Sequence, residues 1–179
     1  MKSKFRVVDL AYMAVCAALI AVCSWISIPA TVPFTLQTFA VFAVLGILGG
    51  KRGTIAVCIY ILLGAVGLPV FAGFGGGIGV LFGTTGGYIL GFIFMGLIYW
   101  FAVSRFGEKP VVRILAMVVG LLVCYAFGTA WFLLVYTRRT GAIAVGTALS
   151  WCVFPFLLPD FVKMALAVTL SGRVKKFVH

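Results

Sequence analysis

Asp160 and Lys163 stand in a stretch, residues 146–170, that is otherwise without charge. An ionisable side chain at membrane depth costs at least about 2.5–3.5 kcal/mol, and such residues mark binding sites or transport paths. Their i, i+3 spacing places both on one helix face, where they can pair and partly offset each other's cost. Two accounts are open on spacing alone. In one, the residues form a structural ion pair, or Lys163 snorkels to the outer interface with Asp160. In the other, they hold a polar guest. Pro155 and Pro159 loosen the start of this helix and free nearby carbonyls, which suits a binding site better than a plain lipid-facing span.

Two neutral clusters accompany the pair. Phe34-Thr35-Leu36-Gln37-Thr38 offers an amide and two hydroxyls, suited equally to interhelical hydrogen bonds and to ligand contact. Gly83-Thr84-Thr85-Gly86-Gly87-Tyr88 precedes and opens a helix, whose free N–H groups suit a polar or anionic group. Catalytic chemistry is poorly served. The single histidine is His179, so no Ser/His/Asp set forms, and there is no H-E-x-x-H and no G-x-S-x-G. With no G-x-x-x-x-G-K-[S/T] loop, the chain has no phosphate cradle, and ATP-driven transport would need a borrowed motor. The five cysteines fall inside apolar runs without a C-x-x-C pair, and read as small buried hydrophobes rather than a disulfide frame or metal site. The expectation is a non-enzyme that needs no metal and no cofactor.

The elements that position these residues follow from composition. The chain is 64% hydrophobic and 9% charged, with a mean hydropathy of +1.26. A soluble domain carries about 25% charged residues, so lipid must be the solvent for much of this surface. The net charge of +11 comes from short clusters between apolar runs. That pattern reads as topology and anionic-lipid contact, and excludes nucleic-acid binding. The apolar stretch Leu10–Ile28 is too long for a signal peptide's core of about 7–15 residues and is read as a first span.

Charge gaps count the crossings. The 41 uncharged residues between Asp9 and Lys51 hold two helices at about 20 residues each, broken at Pro29–Pro33. The gap from Gly53 to Arg105 holds two more, with a surplus at Pro69–Gly87. Glycine is too dense there for a stable helix, and irregular backbone at membrane depth must lie in protein or line a cavity. The spacing predicts one domain, 1–179, all-α. It is a polytopic membrane protein of six transmembrane helices near 10–28, 34–50, 54–68, 87–103, 114–136 and 146–170. A tight basic turn at Lys51-Arg52-Gly53 and a glycine-rich extracellular loop between the third and fourth helices complete it. Eleven of the fourteen Lys and Arg fall at the N-terminus, the 51–52 turn, the 105–113 turn and the C-terminus. The positive-inside rule then puts both termini in the cytoplasm. Ala14-x-x-x-Ala18 and Ala17-x-x-x-Ala21 let another helix approach closely, either a neighbour in the bundle or an external partner.

The runs Val32–Thr38, Leu63–Gly73, Thr85-Gly86-Gly87-Tyr88 and Pro159-Asp160-x-x-Lys163 resemble the BioY family, the biotin-specific substrate-binding (S) components of energy-coupling factor (ECF) vitamin transporters. The resemblance runs over nearly the whole chain, with departures at Thr84, where the family commonly has proline, and at Pro159, where it often has glycine. It implies a plasma-membrane S component that captures biotin outside. It also implies docking on a transmembrane coupling protein with two ATPase subunits, which alone use ATP. By the same resemblance Asp160 and Lys163 meet biotin's ureido ring, Ala14 and Ala18 form the docking face, and Phe34, Thr35, Gln37, Gly86 and Tyr88 complete the ligand site. An S component for another vitamin, a non-transporting structural subunit, and a membrane enzyme built on a cysteine or Asp160 are the alternatives.

Overall fold

The computed structural model describes residues 6–178. Lys2 and Lys4, used in the charge reading above, and His179, used in the catalytic one, lie outside the described residues. Helix α1, Val7–Trp25, begins where the Arg6 backbone N–H donates to Asp9 Oδ2 at 3.0 Å, satisfying a donor the first turn leaves free. The proline segment that follows is a small hairpin rather than a bare turn. Strands β1, Ser27–Ile28, and β2, Phe34–Thr35, pair antiparallel with Ser27 opposite Thr35 and Ile28 opposite Phe34.

Helix α2, Gln37–Val66, is two limbs that reverse at Gly49, where φ is +78°. A Cβ would clash in that left-handed conformation, and glycine has none. The reversal is visible in the contact between Gln37 Nε2 and Tyr60 Oη at 2.7 Å. Twenty-three residues of unbroken helix would separate them by about 35 Å. The turn expected at Lys51-Arg52-Gly53 therefore falls just before those residues, which instead open the returning limb. Arg52 is placed there to pair with the buried Asp9 at 3.2 Å.

The glycine-rich surplus folds back onto the bundle. It contains one 3-10 turn at Ala72–Phe74 and the short helix α3, Ile78–Leu81. Trp25 Nε1 donates to Pro69 O at 2.8 Å, and the Gly77 N–H donates to Gly64 O at 2.7 Å. Gly64 permits the docking, since a Cβ there would stand 2.1 Å from the Phe71 ring, whose side chain is fully buried.

Helices α4, Gly86–Phe106, and α5, Pro110–Thr140, form an antiparallel pair. The helix expected at 146–170 is divided. Helix α6, Val145–Cys152, ends at Val153, and α7 runs Phe154–Val178. Pro155 lies in the first turn of α7, where a missing N–H costs nothing, and Pro159 lies further inside the helix. Among the described residues five runs are long and apolar enough to cross a membrane: Val7–Trp25, Gln37–Val66, Gly86–Phe106, Pro110–Thr140 and Val145–Lys176. The α2 limbs sit centrally, packed on α1, α4 and α7.

The two ends of the bundle differ. One gathers the basic residues. Arg52 pairs with Asp9, Lys175 pairs with Glu108, and Arg113 donates to Tyr99 Oη at 3.1 Å, Gly46 O at 3.2 Å and Ser171 Oγ at 2.9 Å. The start of α1 and the end of α7 are therefore at the same end. The hairpin and the glycine-rich segment occupy the other.

Candidate functional site

The site is built where α7 meets the start of α2, because both carry polar side chains that the apolar bundle must satisfy. Asp160 is 1% exposed and Lys163 6% exposed, so Lys163 does not snorkel to an interface. Their separation is 2.8 Å between Nζ and Oδ1. Burial of charges on this scale costs several kcal/mol per ion unless further hydrogen bonds satisfy them, and those bonds are present. Thr38 Oγ1 donates to Asp160 Oδ1 at 2.8 Å, and Tyr125 Oη donates to Asp160 Oδ2 at 2.6 Å. Lys163 Nζ also donates to Thr35 O at 2.7 Å and Thr38 Oγ1 at 3.2 Å, and lies 4.2 Å from the centre of the Phe34 ring. Hairpin, α2, α5 and α7 thus converge on one ion pair.

A cavity adjoins it, between the pair and the glycine-rich segment. Asp160, Lys163, Thr35, Gln37, Thr38, Thr85, Tyr88 and Tyr125 supply its polar wall. Val32, Phe71, Ile89, Phe92, Leu121 and Phe156 supply much of its apolar wall. Its volume of about 110 Å³ is several times the 10–15 Å³ that one water requires on the same measure, so the space suits an organic molecule with a polar end. Gln37 is oriented by Tyr60, and Tyr88 Oη shares a hydrogen bond of 2.9 Å with Thr129 Oγ1. Cys124 and Cys152 line the cavity as free thiols, and among the described residues no cluster of metal-ligating side chains forms.

Of the residues expected to form the site, Asp160, Lys163, Thr35, Gln37 and Tyr88 come together around the cavity. Phe34 stands behind the lining, stacked on Phe156 with ring centres 5.7 Å apart and lying against Lys163. Gly86 does not line the cavity. It is pressed against α3, where a Cβ would approach Leu81 O to 1.7 Å, so its role is close packing of α3 onto α4. Tyr125 and Thr38 were not singled out in the sequence as partners of Asp160. Both are neutral, and no charge or spacing signal links them to a residue 35 or 122 positions away. On α1, Ala17 and Ala21 are buried in the bundle, whereas Ala14 and Ala18 are exposed.

Comparison with known proteins gives one consistent result. The sequence model described as the BioY family matches residues 1–179. The biotin transporter BioY of Thermotoga maritima is 42% identical over 160 residues, covering 89% of this chain and 90% of that protein. The biotin transporter BioY2 of Lactococcus lactis subsp. cremoris is 36% identical over 168 residues, covering 93% and 89%. A crystal structure of the S-component for biotin from an ECF-type ABC transporter superposes with a TM-score of 0.82 at 26% identity, covering 98% of this chain and 95% of that one.

Proposed function

The chain belongs to the BioY family, and from that premise we infer that it is the biotin-binding S component of an ECF-type vitamin uptake transporter, not an enzyme. The observation that carries the reading is the cavity walled by an enclosed, fully hydrogen-bonded Asp160/Lys163 pair. A ureido ring offers N–H donors and a carbonyl acceptor. Asp160 accepts from an N–H and Lys163 donates to the carbonyl, so both charges stay compensated. The apolar wall takes the thiophane ring and valeryl chain. Because Thr35 O is bonded to Lys163 at the ureido end, the carboxylate end points across the cavity, toward Thr85 at the start of α4.

In this reading the protein crosses the plasma membrane six times, with each limb of α2 counted as a crossing. The basic end and both termini are cytoplasmic, as the positive-inside rule requires, and the hairpin and glycine-rich segment face outside. The chain itself uses no ATP. Release inward is driven by a transmembrane coupling protein and two ATPase subunits. The exposed Ala14/Ala18 stripe on α1 supports close approach by a partner helix. Ala14→Trp and Ala18→Trp are expected to leave biotin binding by the isolated chain unchanged while reducing co-purification of the coupling protein and biotin uptake at least tenfold. Full uptake in both variants would remove this stripe from the docking face.

The reading as a whole is tested on purified protein without ATP. Biotin at about 100 times its dissociation constant stabilises the fold by about 2.7 kcal/mol, seen as an upward thermal shift, whereas riboflavin and thiamine give none. A shift with another vitamin only would assign a different cargo. No shift with any vitamin would favour a structural subunit.

A further inference from the structure

The hydroxyl of Thr38 sits between the two charges of the site. It donates to Asp160 Oδ1 at 2.8 Å and accepts from Lys163 Nζ at 3.2 Å. A cyclic urea placed against the same two residues offers the same pair of atoms, an N–H for the carboxylate and a carbonyl oxygen for the ammonium. We propose that Thr38 is an internal stand-in for the ligand's ureido edge, a specificity-determining residue that satisfies the charged pair before capture and hands over both bonds when the ligand arrives. The proposal rests on the biotin reading above and deepens it.

Donor counting requires such an exchange. An ammonium has three N–H donors, and Lys163 commits them to Thr35 O at 2.7 Å, Asp160 Oδ1 at 2.8 Å and Thr38 Oγ1 at 3.2 Å. No proton is left for a ligand carbonyl unless one of these bonds is given up. The bond to Asp160 joins opposite charges and is the strong one. The Thr35 carbonyl belongs to β2, and a backbone acceptor away from water is costly to leave unpaired. The Thr38 bond is the longest of the three and joins a neutral, partly exposed hydroxyl that lines the cavity. One χ1 rotation releases it from both charged groups at once.

Asp160 accepts the replacement without disturbance. A carboxylate has about four acceptor positions, and three donors fill all but one of them here, with Tyr125 alone on Oδ2 at 2.6 Å. Tyr125 can therefore hold the carboxylate in place while the ligand N–H takes the position of the Thr38 hydroxyl on Oδ1. Among the described residues no buried polar side-chain atom is without a partner before capture. The exchange selects ligands whose N–H and C=O lie side by side, as in a cyclic urea or lactam, and rejects a ring that lacks the carbonyl.

Competition from Thr38 lowers apparent affinity by the fraction of protein in which the hydroxyl is withdrawn. The test measures biotin affinity by titration calorimetry and ligand-free thermal stability for wild type, Thr38→Val and Thr38→Ser. The valine variant is expected to have a lower ligand-free melting temperature and to bind biotin more tightly, by up to about tenfold, and the serine variant to behave as wild type. Should the valine variant not purify folded, Thr38→Ala removes the hydroxyl without adding a methyl group and reads the same competition. A folded variant lacking the hydroxyl that loses tenfold or more in affinity would overturn the proposal, because Thr38 would then be a direct ligand contact. Unchanged affinity would overturn it too, whatever the change in stability, because nothing would then have been competing with the ligand. Failure of wild type to bind biotin is a separate outcome and rejects the underlying biotin reading instead.

Discussion

Replacing Asp160 by asparagine is expected to weaken biotin binding by about 2–5 kcal/mol, as for truncation of a desolvated charged contact, or roughly thirtyfold to several thousandfold in dissociation constant. The change is nearly isosteric, so the loss reports chemistry rather than a cavity. Asp160 receives three donors on its two oxygens, from Thr38, Lys163 and Tyr125. An asparagine has one oxygen and an NH₂ group that must face some of those donors. If the NH₂ takes the Oδ1 position it meets both the Lys163 ammonium and the place where a ureido N–H would dock. If it takes the Oδ2 position it opposes the Tyr125 hydroxyl. In either arrangement Lys163 loses its counter-charge in a site with almost no exposure. Titration calorimetry on the folded variant measures the effect, and wild-type affinity would mean that the ligand does not meet this carboxylate.

The charged pair was legible in the sequence because lipid makes every charge conspicuous, and Asp160 and Lys163 could be singled out before any contact was known. The neutral half of the site was not legible in the same way. Tyr125 is one aromatic residue in the middle of a long apolar run, and only the antiparallel packing that brings α5 to α7 turns it into a donor to Asp160. Thr38 was visible as part of a polar cluster, but its position between the two charges depends on where the hairpin sets the first turn of α2.

The same contrast holds for the helices. Counting charge gaps finds apolar runs that lipid can hold, but it cannot find breaks that carry no charge. The division at Val153 lies between uncharged residues, and Pro155, read as loosening the start of a single helix, is accommodated in the first turn of α7. At the α2 reversal the basic residues drew the expected turn to 51–53, whereas backbone conformation decides it. Gly49 supplies the positive φ, and Arg52 is required one turn later to meet Asp9. The glycine-rich segment was read as folding towards the bundle. What ties it down, the Trp25 indole on Pro69 and the Phe71 ring against Gly64, depends on residues far apart in sequence. Gly86, taken for its free N–H group, donates that N–H to Gly83 O at 3.2 Å and packs closely against Leu81.

Lys163→Met is expected to lower the stability of the ligand-free protein by about 3–5 kcal/mol, the cost of leaving one member of a buried ion pair without its partner. Methionine is similar in length and apolar, so packing is largely kept. What is lost is the only cation among the described residues bonded to a carboxylate that is 1% exposed, together with the donor to Thr35 O and the contact with the Phe34 ring. The two hydroxyls that remain on Asp160 are neutral. The double variant Asp160→Asn/Lys163→Met removes both charges and should recover most of that stability, since a buried ion pair is often replaceable by neutral residues at little net cost. Thermal or denaturant unfolding in detergent without biotin, run as a double-mutant cycle, gives the coupling energy directly. Equal stability of wild type and Lys163→Met would show that the ammonium is not compensating Asp160. The decisive pairing is with calorimetry. A double variant that folds well but does not bind biotin separates the two uses of the pair, because a fold that no longer needs these charges would still have lost the polar contacts that a ureido ring requires.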